Sequence, residues 1–248
     1  MLVEKYYQET AGQIRVSRQQ ASDFAKNIAD DFNPIHDIDA KRFCVPGDLL
    51  FAIMLARYGL SSRMRFTFSG MVTDEVSLTL PDLDESHISI TSAAGKEYLC
   101  FDRSGNLSTH QTLIDCFTRS YVEFSGHNFP HILVPLMAEH SVMINPDRPL
   151  VMYQGMSFEL DRLDLVAPRL ELVSSNLEIV KKRGNVTLEF CLKESGEVVG
   201  RGQKMMVLSG LRPYEQDKIG QLVTAYALRK QNHNKQQVSS FPQNASLA

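Results

Sequence analysis

The chain has 248 residues, 43% hydrophobic and 22% charged, with a formal net charge of −3 at pH 7. That length holds one large domain or two smaller ones around a substantial core, and the composition is that of an ordinary globular protein. The slight acidity leaves no basic footprint for nucleic acid or an anionic membrane surface. Neither a membrane-spanning apolar run nor a basic, apolar leader at Met1 to Lys5 is present, which gives the expectation of a cytoplasmic protein without membrane insertion.

From Ser17 to Asp31 the spacing of Ala21, Phe24, Ala25 and Ile28 predicts a short helix, with Ser17 as its N-cap and Asp31 delivered at its end. The next residues, Asp31-Phe32-Asn33-Pro34-Ile35-His36, set a carboxylate and an imidazole five positions apart. Proline fixes its own φ and biases Asn33 toward extended backbone, so Asp31 and His36 can face one point, with Asn33 orienting the pair or a water between them. Phe43 to Ala56 is apolar on almost every face, and a helix without a polar face must be enclosed. Its start, Pro46-Gly47-Asp48, offers helix N-terminal amides to a developing negative charge, and Gly47 allows a substrate to approach the backbone closely.

Downstream, Met71 to Leu80, His87 to Ala93 and Lys96 to Asp102 read as strands, with Ala94-Gly95 as a hairpin turn. Asn106 to Phe124 bridges to a second unit, predicted as an apolar helix over His131 to Met143. Strands follow over Met152 to Leu160, Leu170 to Lys181, Asn185 to Lys193 and Glu197 to Leu208. Asp217 to Lys230 is predicted helical, and Gln231 to Ala248, rich in Gln, Asn and Ser, disordered. The element order suggests an α+β protein with units at 1–105 and 106–212 and a helix and tail at 213–248, although the same strands also permit one α+β domain with a single large sheet.

The Asp31 to His36 segment resembles the D-x-N-P-[ILV]-H signature of MaoC-type (R)-specific enoyl-CoA hydratases, and the lead-in from Ile14 to Ala25 is similar to theirs. Val45-Pro46-Gly47-Asp48-Leu49-Leu50 resembles the V-x-P-G-x-L segment of β-hydroxyacyl-ACP dehydratases. The resemblance implies a bacterial branch of the hot-dog superfamily with a tandem (double) hot-dog fold, each half a curved antiparallel sheet around a central apolar helix. It further implies reversible hydration or dehydration of an enoyl or 3-hydroxyacyl thioester, a lyase activity of fatty acid metabolism. Asp31 and His36 would be the acid/base pair, Asn33 the positioner, and Gly47 and Asp48 the oxyanion and substrate-binding site. The carrier dehydratases keep an acid in the central helix; here the position five after Gly47 is Ala52, which leaves the acid to Asp31.

No separate cofactor is implied, since CoA or phosphopantetheine is part of the substrate. An acyl carrier protein and a second copy of the chain are partners this reading admits. Its alternatives are an acyl-thioester hydrolase and a non-catalytic acyl-CoA or carrier-protein binder, which fold alone does not separate.

A second, weaker constellation is Gly126-His127-Asn128-Phe129-Pro130 with Glu139, similar to the G-H-F-P and helix acid of the carrier dehydratases but with Asn128 inserted. His127, His131 and His140 lack zinc-binding spacing, and Cys44, Cys100, Cys116 and Cys191 form no C-x-x-C pair, so no metal is expected. Arg63, Arg65 and Lys181-Lys182-Arg183 are the basic groups best suited to a phosphate. Met152, Met156, Met205 and Met206, with Leu136 and Met143, are candidates for apolar acyl-chain walls.

Overall fold

A computed structural model describes residues 2–82 and 85–239. Two short strands, β1 (Gln8–Thr10) and β2 (Gln13–Arg15), lead into α1 (Arg18–Asn27). Ser17 caps α1 as expected, in a reciprocal capping box with Gln20. The helix stops short of Asp31 because Asp30 takes a left-handed conformation (φ 53°), after which the Asp31 amide reaches back to the Ala25 carbonyl at 2.8 Å. The motif forms a single 3-10 turn, Pro34–His36, ahead of α2 (Gly47–Tyr58).

The N-terminal half continues with β3 (Leu60–Phe68), β4 (Leu78–Thr79), β5 (His87–Ser92) and β6 (Glu97–Ser108). Three helices follow, α3 (Gln111–Gly126), α4 (Asn128–His131) and α5 (Leu133–Glu139), then β7 (Val142–Met143) and β8 (Val151–Leu160). The C-terminal half closes with β9 (Arg169–Val180), β10 (Arg183–Glu194), β11 (Glu197–Ser209), β12 (Arg212–Pro213) and α6 (Gln216–Ser239).

Ten strands form one antiparallel sheet in the order β1-β2-β4-β5-β6-β3-β8-β11-β10-β9. In each half the first long strand pairs with the fourth, the fourth with the third and the third with the second: β3-β6-β5-β4, then β8-β11-β10-β9. The halves meet where β3 pairs with β8, from Arg63 opposite Glu159 to Thr67 opposite Gly155. This repeated strand order, with apolar helices packed on the inner face, is the α+β double hot-dog.

The central helix α2 has no exposed face: Leu49 through Leu55 are all nearly inaccessible, and they share one core with the inner residues of β3, β5 and β6. Alternation along β3 puts Leu60, Met64 and Phe66 inward and Arg63 and Arg65 outward. A second core gathers Leu133, Leu136 and Met137 of α5 against Leu177, Val186, Leu188 and Leu208. Among the described residues no helix is long and apolar enough to cross a membrane.

Several expected elements are corrected. β3 has no counterpart in the sequence expectation, because Met64 and Phe66 alternate with Arg63, Arg65 and Thr67 and leave no apolar run. The strand expected over Met71 to Leu80 shrinks to Leu78–Thr79, since the chain turns at Thr73 to Val76. The Asn106 to Phe124 bridge is the end of β6 and most of α3, whose Leu113, Ile114, Phe117, Tyr121 and Val122 form a buried stripe. The helix expected over His131 to Met143 is only Leu133–Glu139, with Val142 and Met143 in a strand. The tail expected to be disordered is helical through Ser239, because α6 docks on the loop after α1; residues 240–248 lie outside the described residues.

Candidate functional site

The loop between α1 and α2 builds the site from its own polar groups. Asn33 caps the 3-10 turn, its side-chain oxygen accepting from the Ile35 amide at 3.2 Å, while its own amide donates to Asp31 Oδ1 at 2.9 Å. The Asn33 side chain therefore holds the turn that aims His36. His36 Nδ1 donates to the Cys44 carbonyl at 2.7 Å, which selects the tautomer with a bare Nε2. Nε2 faces Asp31 Oδ2 at 3.7 Å, too long for a direct hydrogen bond and a separation that one water can bridge. Burial raises the Asp31 carboxyl above its usual range, an effect opposed by His36, the Asn33 amide and Lys204 and reinforced by Asp48.

At the start of α2, the Pro46 carbonyl takes the Leu49 and Leu50 amides, at 3.1 and 3.3 Å. The Gly47 and Asp48 amides have no acceptor among the described residues, as befits the orphan donors of a helix N-terminus. A side chain at Gly47 would place its Cβ 2.7 Å from Tyr153 Cδ1, so glycine is what lets the helix start lie against that ring. The Asp48 side chain is buried beside the cavity. Its Oδ2 accepts from the Ser125 hydroxyl at 2.5 Å, and Oδ1 has no partner among the described residues.

These groups open onto one cavity of about 550 Å³, lined by Asp31, Asn33, His36, Gly47, Asp48 and largely apolar walls that include Leu50, Val72, Leu133, Met152 and Met206. Leu222, Tyr226 and Arg229 of α6 complete it. Of the expected methionine walls, Met152 and Met206 line the cavity, whereas Met156 belongs to the main core and Met143 and Leu136 to the second.

Four lining or supporting residues carry no motif: Ser125, Lys204, Tyr121 and Tyr153. Lys204 is 4% exposed and donates to Ser125 Oγ. Its nitrogen sits 4.4 Å over the Tyr153 ring, and the Tyr153 hydroxyl meets that of Tyr121. Burial lowers the Lys204 ammonium's pKa, while Asp48 and Asp31 oppose the shift. The available signal was parity, since Lys204, Met206 and Leu208 share the inward face of β11.

A family model described as a protein of unknown function (DUF3581) matches residues 1–217. The chain belongs to that family. No curated protein matches it. Among solved structures, the DUF3581 chain is similar to the tesB protein of Mycobacterium avium subsp. paratuberculosis, with 8% identity, 86% of this chain and 97% of that one covered, and a TM-score of 0.45. A hot-dog protein of unknown function from Alicyclobacillus acidocaldarius shows 7% identity over 86% and 98% of the two chains, with a TM-score of 0.45. A MaoC-like dehydratase shows 10% identity over 84% and 99%, with a TM-score of 0.42.

The second constellation of this DUF3581 chain is not assembled. Gly126 abuts the N-terminal half, where a Cβ would fall 1.6 Å from the Ala29 carbonyl oxygen. The following residue, His127, is 54% exposed on its side chain and pairs with Asp30 Oδ2 at 2.8 Å. Glu139 is exposed at the end of α5, and neither residue lines the cavity. Asp30 ties His127 and Lys230 together.

Arg63 and Arg65 lie on the outer face of the sheet along a separate depression, with Arg63 paired to Glu159 at 3.0 Å. Lys181, Lys182 and Arg183 are exposed at the β9–β10 turn. The cation at the cavity rim is Arg229, bound to Asp37. Cys44 lines the cavity with its thiol pushed up to about 11 by burial, which keeps it protonated at neutral pH. Among the described residues, no three His, Cys, Asp or Glu side chains converge as a metal site.

Proposed function

We propose that this protein reversibly hydrates an acyl thioester, adding water across a trans-2-enoyl-CoA or enoyl-carrier substrate to give the 3-hydroxyacyl product. The observation that carries the proposal is the 3.7 Å gap between Asp31 Oδ2 and the bare His36 Nε2, in the same cavity as the unpaired amides of α2. A water in that gap donates a proton to Nε2 as its oxygen bonds to the β-carbon. Charge moves onto the thioester oxygen, where the Gly47 and Asp48 amides and the α2 dipole stabilise it. Asp31, held toward its acid form by burial, delivers a proton to the α-carbon. The proton taken by His36 then returns to Asp31, which restores the pair with no net consumption of protons.

The apolar walls and the volume suit an acyl chain with its polar head at the motif. Nothing in this chemistry calls for a cofactor beyond the CoA or phosphopantetheine arm of the substrate. The test is the enoyl-thioester absorbance with crotonyl-CoA and longer trans-2-enoyl thioesters. Loss of the band without thiol release, abolished by Asp31→Asn or His36→Ala, is the expected outcome. Thiol release would replace hydration with hydrolysis, and binding without turnover would replace both with an acyl-thioester sensor.

A further inference from the structure

The acid/base pair and the α2 amides leave a buried lysine in the cavity without a role. Lys204 brings an ammonium into an apolar interior with one hydrogen bond, to Ser125 Oγ. Among the described residues, no carboxylate oxygen lies within 4.0 Å of its nitrogen. An ammonium has three donors, and burying one without a contacting counter-ion is costly. One side of Nζ is covered by the Tyr153 ring, and Ser125 relays it to Asp48. At least one donor remains for a ligand in the cavity that Lys204 lines.

Position and charge together identify the ligand atom. Tyr153 touches both Lys204 and Gly47, so the ammonium and the start of α2 lie against the same ring. Asp48, linked to Lys204 through Ser125, acts electrostatically on the ammonium and offsets its charge while Asp31 keeps its proton. A substrate carboxylate would add uncompensated negative charge to that apolar space, whereas a neutral carbonyl, whose oxygen gains charge only as the reaction proceeds, matches it. We propose that Lys204 is an electrophilic catalytic residue, its ammonium binding and polarising the thioester carbonyl oxygen alongside the α2 amides, with Ser125 and Asp48 as positioning residues. The inference rests on the thioester reading above and assigns the proton transfers to no new group.

The experiment uses a 2,4-dienoyl-CoA, whose ultraviolet band moves to longer wavelength when its carbonyl is polarised, bound to full-length Asp31→Asn protein so that turnover is blocked. A red-shifted bound band that returns to the free position in Asp31→Asn/Lys204→Met is the expected result. Ser125→Ala, which removes the ammonium's hydrogen bond, should give a smaller shift in the same background. In the otherwise intact enzyme, Lys204→Met should lower kcat about 10²–10³-fold with little change in KM, the loss typical of one oxyanion donor.

A shift that survives Lys204→Met, or a bound ligand whose band never moves, overturns the role of Lys204 and leaves the thioester reading standing. Failure of Asp31→Asn to bind any dienoyl thioester, as CoA or phosphopantetheine ester, overturns both. Should Lys204→Met not fold, judged by circular dichroism, Lys204→Gln takes its place under the same criteria.

Discussion

In the N-terminal half, the chain between α1 and α2 turns Asp31 and His36 inward to face each other at 3.7 Å. In the C-terminal half, the chain after α3 turns His127 outward onto Asp30 and leaves Glu139 at the surface. The two halves repeat one strand order, yet among the described residues the motif loop of the first half brings a carboxylate and an imidazole together at the cavity, and the corresponding residues of the second half do not line it. The second contributes Lys204 and Tyr153, much of the apolar wall, and α6 across the opening. A duplicated fold thus gives one composite cavity, because the loop of one half and the strands of the other face the same space. The local cause is backbone geometry: Asn33 caps a turn that aims His36, while close packing of Gly126 on Ala29 directs the following residue away.

The largest contrast between the halves should be catalytic. His36→Ala is expected to lower kcat/KM for enoyl-thioester hydration by about 10²–10⁴-fold, whereas His127→Ala and Glu139→Ala should stay within about twofold, their side chains being exposed. Comparable losses at His127 would mean that the second half carries a site of its own.

Gly47→Ala probes the contact where one half rests on the other. Its methyl would collide with the Tyr153 ring, and such overpacking costs about 1–3 kcal/mol, read as a lowered urea midpoint. An unchanged midpoint would show that the ring can move aside and that the seam is loose.

A smaller effect is expected where α6 clasps the motif loop. The Tyr226 hydroxyl accepts from the Phe32 amide at 3.1 Å and donates to the Asp30 carbonyl at 3.3 Å. Tyr226→Phe should cost about 1 kcal/mol by leaving that amide unpaired. Faster amide exchange at Phe32, with α1 unaffected, would place the loss at the clasp.

The smallest effect has the opposite sign. Burial raises the Asp31 carboxyl in the folded protein, so the wild type loses stability as pH rises from the unfolded carboxylate range through the folded pKa. Asp31→Asn removes that penalty. Its melting temperature should exceed the wild type near pH 7, and the gain should fade toward pH 4, about where an unfolded Asp titrates. A gain independent of pH would mean that Asp31 is not held toward its acid form.

Local chemistry was legible wherever neighbouring residues settle the conformation. Ser17 and Gln20 make the cap of α1, Asn33 and Pro34 make the motif turn, and the unbroken apolar run through Leu55 had to be enclosed, as α2 is. The Asp31–His36 pairing and the α2 start follow from spacings of a few residues, within which covalent geometry limits the choices. β3 and α3 were hidden for a different reason. β3 interrupts its apolar positions with arginines and a threonine because its outer face meets water, and α3 has a buried stripe whose partner is a helix more than fifty residues earlier.

Only the tertiary structure decided what the motif confronts. Lys204 lies 168 positions after His36 and Ser125 lies 77 after Asp48, so no local pattern links them. They meet because β3 pairs with β8 and β8 with β11, which carries Lys204 to the cavity while α3 delivers Ser125 beside the start of α2. Short-range residue identity determined which carboxylate and which imidazole face each other. Strand pairing across the two halves determined which cation they work beside, because the burial that gives Lys204 its strength exists only after both halves have closed on it.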